Sequence, residues 1–148
     1  MKEATVDKWF SKFIRLRDCW DNFDSVRNGL INCTMGYCCT CGKPVTIHDG
    51  IEWNPNAHAG HFITRDCKST RFDEKNAHLQ CSHCNTFKSG KQFEHSLFID
   101  KKYGSGTAEK ILIKSKQLCK RNRYDLEVLA KYYRLEAQKL AKEKGIKL

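Results

Sequence analysis

Two cysteine pairs decide how the middle of this chain folds: the first lies in Cys38-Cys39-Thr40-Cys41-Gly42 and the second in Cys81-Ser82-His83-Cys84-Asn85. In a Cys-x-x-Cys turn, both thiolates lie on one side of a tight loop and can share a tetrahedral ion at about 2.3 Å each. Two such turns complete a Cys₄ set. We therefore predict a structural zinc ion, Zn²⁺, held by Cys38, Cys41, Cys81 and Cys84.

The spacing between the two pairs requires further structure. The 39 residues between Cys41 and Cys81 exceed the loop of a simple zinc ribbon, so a folded element must lie inside it. The alternatives are two chance pairs or a redox dithiol, but a redox pair normally sits in a βαβ setting that is absent here. Zinc in such a site can supply about 10–16 kcal/mol, comparable to the whole stability of a small domain.

Short strands and amphipathic helices surround the cysteines. Val45-Thr46-Ile47 and Gly60-His61-Phe62-Ile63-Thr64 predict strands. Apolar residues at helical spacing predict helices over 3–20, 107–119 and 124–143. The sequence therefore predicts an α+β protein in three parts: a helical segment over 1–37, a zinc-bearing core over 38–104, and a helical hairpin over 105–148.

Composition and charge restrict the class of partner. The 148 residues include 27 Lys and Arg against 17 Asp and Glu, for a net charge of +10, which favours a polyanion such as nucleic acid. A hydrophobic fraction of 40% excludes a disordered polycation. Mean hydropathy is −0.65 and no apolar run is long enough to span a membrane. The first 20 residues lack the apolar stretch of a secretory signal, so we predict a cytoplasmic protein without a membrane partner.

One histidine and two asparagines follow a fixed order around the second cysteine pair. His61 lies on a predicted strand, Asn76 precedes the pair, and Asn85 follows it directly. Alone, the histidine would be a structural residue and Asn85 a helix cap. The presence of all six histidines in this segment weakens the structural interpretation of His61 without removing it, and only its place after Cys84, in company with His61 and Asn76, singles out Asn85.

Several motifs carry a resemblance to a known family: Cys38-x-x-Cys41-Gly42, His58-Ala59-Gly60-His61-Phe62, Arg71-Phe72-Asp73-Glu74-x-Asn76-x-His78-x-Gln80-Cys81-x-x-Cys84-Asn85, and Lys88-Ser89-Gly90. Together they resemble the NinG/Rap family of lambdoid phage recombination proteins, a zinc-stapled HNH endonuclease type. The resemblance covers roughly residues 5–105. It implies a small ββα-metal (His-Me finger) core stapled by the Cys₄ site and flanked by N-terminal and C-terminal helices.

The resemblance also implies a role for each residue of the ordered triple. His61 would be the general base that removes a proton from the water attacking the phosphate, because an imidazole is largely neutral at pH 7. Asn85 would hold a catalytic Mg²⁺ or Mn²⁺ through its amide oxygen. Asn76 would hydrogen-bond the backbone behind His61 and so orient the imidazole.

One position departs from the wider HNH pattern. Many members carry an aspartate just before the base as a second metal ligand, and here that residue is Gly60. His58 is the nearest substitute ligand. The other interpretation is that the metal is held through the lone asparagine, as in some ββα-metal nucleases.

Basic residues bracket the predicted site in the sequence: Arg65, Lys68, Arg71, Lys88 and Lys91. They suit phosphate contacts that position DNA without reading its bases. The alternative is a solvated basic face that serves solubility.

The predicted function is a metal-dependent DNA endonuclease, and the resemblance implies branched substrates such as Holliday junctions. The alternative is a non-cleaving, zinc-containing DNA-binding recombination accessory protein that lost activity at Gly60. A RING-like interaction domain would explain the cysteines but leave the ordered triple and the positive charge unexplained. Paired incisions would need a homodimer, for which the apolar stripe of the last helix is a candidate surface if it is not part of the core.

Overall fold

A computed structural model describes residues 1–19 and 34–148 and shows an α+β protein. The helices are α1 (Glu3–Arg17), α2 (Gln92–Tyr103), α3 (Thr107–Ser115) and α4 (Arg123–Glu143), and a π-helical turn spans His83–Phe87. The strands are β1 (Thr34–Tyr37), β2 (Pro44–His48), β3 (Ala57–His61) and β4 (Ala77–Cys81). Within the described part, no helix is both long and apolar enough to cross a membrane.

The strands form two separate antiparallel pairs, β1 with β2 and β3 with β4. The turn between β1 and β2 contains the first cysteine pair and closes through Cys38 N–H to the Lys43 carbonyl at 2.9 Å. Gly42 adopts φ 72° in this turn, a conformation that favours glycine. In the other pair Ala57 lies opposite Cys81, and His61 opposite Ala77.

The main core lies between α1 and α4 and extends to the loop before β4. Phe10 of α1 packs edge-on against Tyr133 of α4, with ring centroids 4.9 Å apart. The described apolar residues buried here are Val6, Phe10, Phe13, Ile14, Leu16, Phe72, Ala77, Leu126, Ala130, Tyr133, Ala137 and Ala141. At the end of α1, Arg17 donates to the Ala77 carbonyl at 2.8 Å and Asp18 accepts from Leu79 N–H at 2.9 Å, which fixes the helix on β4.

Helix α2 is anchored through buried polar side chains. His78 of β4 hydrogen-bonds His95 of α2 at 3.0 Å and the Tyr103 hydroxyl at 2.9 Å. Burial lowers the pKa of His78 to about 2 and the pKa of His95 to about 4, so both rings are neutral at pH 7. These contacts place the chain that follows Asn85 firmly against β4.

The helical hairpin expected over 105–148 is not how α3 and α4 pack. Ala108 and Ile111 of α3 are buried with Ile99 of α2, whereas α4 contributes its apolar residues to the α1 core. The reason is the distribution of apolar surface, because the apolar face of α3 packs against α2 and that of α4 packs against α1. The candidate homodimer stripe of α4 includes Leu126 and Tyr133, and the structure buries both inside the chain.

The other expected elements differ in their bounds. The helices predicted over 3–20, 107–119 and 124–143 occur at 3–17, 107–115 and 123–143. β2 contains the predicted strand at 45–47, whereas β3 ends at His61 and begins three residues before the predicted start. The predicted N-terminal segment over 1–37 is described only in part: residues 20–33 lie outside the described residues, and Thr34–Tyr37 form β1.

Candidate functional site

The four cysteines of the two pairs meet at one point. The Sγ atoms of Cys38, Cys41, Cys81 and Cys84 all lie within 4.8 Å of one another, and Cys41 Sγ is 3.9 Å from Cys81 Sγ. A tetrahedral zinc ion with bonds of about 2.3 Å would set its sulfur ligands about 3.8 Å apart. All four are free of disulfide bonds. The donor set therefore fits a structural Zn²⁺ that ties the β1–β2 turn to the end of β4.

The surroundings of these thiols shift their pKa values in opposite directions. Burial alone would raise the pKa of Cys38, but hydrogen bonds from the Thr40 hydroxyl and from backbone N–H groups lower it to about 6. Burial raises the pKa of Cys81 to about 12, and the neighbouring Cys38 thiolate also raises it. Since zinc binds thiolates, a bound ion would stabilise the deprotonated form of every ligand.

A cleft of about 960 Å³ opens beside this metal centre. Its lining includes His58 and His61 from β3 and Asn85, which directly follows Cys84 of the cysteine cluster. Helix α1 contributes Asp7 and Arg15 to the same lining. Three residues that the sequence associates with metal-dependent hydrolysis therefore share one solvent-accessible space.

The hydrogen bond of His61 defines its chemistry. Its Nε2 lies 2.8 Å from the Arg71 carbonyl oxygen. A carbonyl only accepts, so Nε2 carries the proton and the neutral ring keeps its lone pair on Nδ1. Burial lowers the pKa of His61 and outweighs the Arg71 carbonyl, while the guanidinium groups of Arg65 and Arg71 lower it further. His61 is thus a neutral imidazole at pH 7, and its Nδ1 accepts no hydrogen bond from the described residues.

His58 and Asn85 form a pair within the cleft. Asn85 Nδ2 donates to His58 Nδ1 at 2.9 Å, and His58 Nε2 donates to the Pro55 carbonyl at 3.0 Å. Rotating the amide by a half turn places Oδ1, a metal-binding oxygen, beside the same imidazole nitrogen. Neighbouring ligands of an octahedral ion with bonds of about 2.1 Å lie about 3.0 Å apart. The 2.9 Å separation of the pair is close to this value.

Asn76 is fully buried and acts on the loop that follows His61. Its Oδ1 accepts from Ile63 N–H at 2.8 Å, and its Nδ2 donates to the carbonyls of Ile63 and Thr70 at 2.9 and 3.0 Å. Thr70 immediately precedes Arg71, whose carbonyl accepts the hydrogen bond from His61 Nε2–H. Asn76 therefore closes the loop that holds the imidazole in place, without facing the cleft itself.

The structure gives a physical reason for glycine at position 60. A Cβ built on Gly60 would lie 1.8 Å from Gln80 Oε1 and 2.7 Å from Gln80 Cδ. Gln80 cannot simply move away, because its Nε2 donates to the Gly90 carbonyl at 2.8 Å and to the Thr40 hydroxyl at 3.1 Å. This strand pair therefore has no room for the aspartate of the wider HNH pattern.

The five predicted DNA-binding residues occupy different environments. Arg65 lines the cleft with its side chain 61% exposed, 4.0 Å from Asp7. Arg71 instead binds Glu3 at 3.0 Å and Asp7 at 2.5 Å, so its charge is already compensated. Lys68 and Lys88 are exposed and Lys91 is half-buried, and these three stand outside the cleft lining.

Sequence reasoning missed the contribution of α1 to the cleft. Asp7, Ser11 and Arg15 all line it, and Trp53 lies under the Arg15 guanidinium, 4.3 Å from the ring centroid. Asp7, Ser11 and Arg15 are spaced four residues apart, which places them on one face of a helix. That polar stripe was the available signal, but it gives no indication of what the face contacts.

Comparison with known proteins gives one match. A protein-family model described as "Bacteriophage Lambda NinG protein" matches residues 3–143, which is nearly the whole chain. No curated protein and no solved structure matches this chain.

Proposed function

This chain belongs to the bacteriophage lambda NinG family, and from that premise we propose that it is a metal-dependent DNA endonuclease. It hydrolyses phosphodiester bonds in branched recombination intermediates such as Holliday junctions, in the cytoplasm of the host bacterium. The observation that carries the proposal is the shared cleft: His58, His61 and Asn85 line one space, directly beside the cysteine cluster.

His61 serves as the general base. With Nε2–H committed to the Arg71 carbonyl, Nδ1 is the nitrogen that accepts a proton from the attacking water. Asn76 keeps that carbonyl in position through its bond to Thr70. The imidazole is therefore preorganised before DNA enters the cleft.

Asn85 and His58 hold the catalytic divalent ion, Mg²⁺ or Mn²⁺. When bound, this ion supplies the positive charge that stabilises the phosphate and the departing 3′ oxygen. The geometric support is the 2.9 Å contact between the two side chains. Imidazole is a better ligand for transition metals than for Mg²⁺, so His58 favours Mn²⁺.

The structural zinc sets the distance between the two halves of the site. Cys81 ends β4, which pairs along its length with β3 and its two histidines. Cys84 directly precedes Asn85. Fixing both cysteines to the same ion therefore fixes Asn85 relative to His58 and His61.

A second candidate function is a DNA-binding recombination accessory protein that does not cleave. It is favoured by the packing at Gly60, where no carboxylate can stand next to the base. Such a protein would retain the zinc ion and the positive charge.

Cleavage assays on purified zinc-loaded protein decide between the two functions. With Mg²⁺ or Mn²⁺, wild type should nick supercoiled plasmid and four-way junctions, and His61→Ala should reduce the rate by about 10²–10⁴-fold with DNA binding intact. His83→Ala is the matched control, because this histidine is exposed and outside the cleft. Equal cleavage by His61→Ala would exclude His61 as the base, and binding without cleavage by wild type would favour the accessory function.

A further inference from the structure

Arg15 presents a cation to the cleft without a carboxylate partner. It lies on the α1 side of the space that contains His61 and Asn85. None of the ion pairs among residues 1–19 and 34–148 includes Arg15. Arg17, two residues later, differs sharply because it pairs with Asp18 at 2.7 Å.

The contacts that Arg15 does make fix its plane but leave donors unused. Nε donates to the Ser11 carbonyl at 3.1 Å, and Nη1 reaches the Ala57 carbonyl only at 3.5 Å. The guanidinium stacks on Trp53, 4.3 Å from its ring centroid. A guanidinium has five N–H donors, so three have no acceptor among residues 1–19 and 34–148 and remain for a ligand.

The surroundings of Arg15 are unfavourable for an isolated cation. Burial lowers the pKa of Arg15 to about 10, so the group stays charged at neutral pH although it is poorly hydrated. Lys12 lies on the same side of α1, 5.7 Å from the centroid of Trp53, and its pKa is lowered first by burial and then by Lys8 and Arg15. An anion placed here would offset both the lost hydration and the repulsion.

We propose that Arg15, held flat by Trp53, binds a backbone phosphate of the DNA strand that enters the cleft. This inference rests on the proposed function for the identity of the anion. A planar fork of donors suits a phosphodiester, which can accept two parallel hydrogen bonds. Arg15 is thus a substrate-binding residue that α1 contributes to the cleft shared with His61 and Asn85, and it positions the DNA strand there.

A packing role alone does not account for these observations. Trp53 could be covered by an apolar side chain without bringing an unpaired charge out of water. The basic residues that bracket the site in sequence belong to other segments, so Arg15 adds a contact from the N-terminal helix. Positioning of the DNA strand then requires residues of both α1 and β3.

Binding measurements test the proposal independently of cleavage. In the His61→Ala background, a labelled four-way junction is titrated over a range of salt concentrations with Arg15→Gln, Arg15→Lys and the control Arg123→Gln. Arg123 is exposed and pairs with Glu127 on α4, so its substitution removes the same charge elsewhere. Arg15→Gln should weaken binding about tenfold and reduce the slope of log affinity against log salt by about one, while Arg123→Gln changes affinity less than about twofold.

The lysine variant covers the case in which glutamine disturbs the fold, which zinc content and thermal melting would reveal. Arg15→Lys should keep the wild-type salt slope, because the charge remains, and lose several-fold affinity with the planar fork. Arg15→Gln binding as tightly as Arg123→Gln, or a lysine slope reduced by about one, would overturn the proposal. If wild type binds in an Arg15-dependent manner but never cleaves, the phosphate contact stands and the nuclease proposal fails.

Discussion

The hydrogen bond between His61 Nε2 and the Arg71 carbonyl determines which imidazole nitrogen can act as a base. It also gives Arg71 two separate duties, since its guanidinium is bound to Asp7 and Glu3 on α1. The ion pairs position the Arg71 backbone and the carbonyl positions His61. A residue predicted to touch DNA thus supports the candidate base in this structure.

The lowered pKa of His61 predicts the pH dependence of cleavage. A general base must be neutral, so the rate should fall about tenfold per pH unit below the pKa and level off above it. Because burial depresses this pKa below its ordinary value of about 6.5, the inflection should lie below about pH 6.5. Single-turnover rates from about pH 5 to pH 9, with protein in saturating excess, measure it.

Arg65 provides the matched variant for this prediction. Its positive charge depresses the pKa of His61, so Arg65→Gln should move the inflection to higher pH, whereas Arg123→Gln on α4 should leave it in place. A wild-type inflection above about pH 6.5, or one that Arg65→Gln moves to lower pH, would contradict the assignment of His61 as the base.

Residue spacing predicted the cysteine cluster, because a tight turn brings both thiols of each pair together irrespective of the rest of the fold. It could not predict the contact of Gln80 with Gly60, since the two residues approach across a strand pair whose register only the folded chain defines. Arg15 was hidden for the same reason. Its helical face is visible in the sequence, but the surface opposite that face is not.

At the level of elements, amphipathic patterns were reliable where one face is buried against a helix. α1 and α4 follow this rule, and both were predicted. α2 was missed because Phe93 and Leu97 are exposed while the polar His95 is buried beside Ile99, so its apolar residues do not mark one buried face. The prediction that β3 continues to Thr64 was wrong. The backbone N–H and carbonyl of Ile63 form hydrogen bonds with the Asn76 side chain instead of with a neighbouring strand.

Zinc removal should separate the elements that the four thiols join. We expect one zinc ion per chain, and we expect Cys81→Ser to lose it and to lower the melting temperature by several degrees or more, because metal binding supplies folding free energy. Colorimetric zinc release and thermal denaturation measure both effects. Cys119→Ser is the control, since this half-buried cysteine lies outside the cluster. Stoichiometric zinc in Cys81→Ser, or an equal loss in Cys119→Ser, would contradict the assignment.

Across the described part of the molecule, several acidic side chains are engaged in ion pairs with basic residues. Asp7 and Glu3 bind Arg71, Asp18 binds Arg17, and Asp73 binds Lys114 at 2.7 Å. The described part of the cleft lining contains two guanidinium groups, Arg15 and Arg65, and one carboxylate, Asp7, so positive charge exceeds negative charge there. Lys88 and Lys91 immediately flank Ser89 and Gly90, which line the cleft, and none of the ion pairs of the described residues includes either lysine.

This distribution predicts a DNA affinity that falls steeply with salt and depends on where the charge is removed. Each phosphate contact contributes about 0.9 to the slope of log affinity against log salt, so Lys88→Gln with Lys91→Gln should reduce the slope by about two. Phosphate contacts carry no sequence information, so the loss should be equal for unrelated duplexes and junctions. Fluorescence anisotropy at several salt concentrations measures it. Lys139→Gln with Lys142→Gln on α4 removes the same charge from exposed positions outside the cleft and should leave the slope unchanged. Equal losses in both double variants would mean that only net charge attracts DNA, and that the basic residues around the cleft form a solvated surface rather than a binding site.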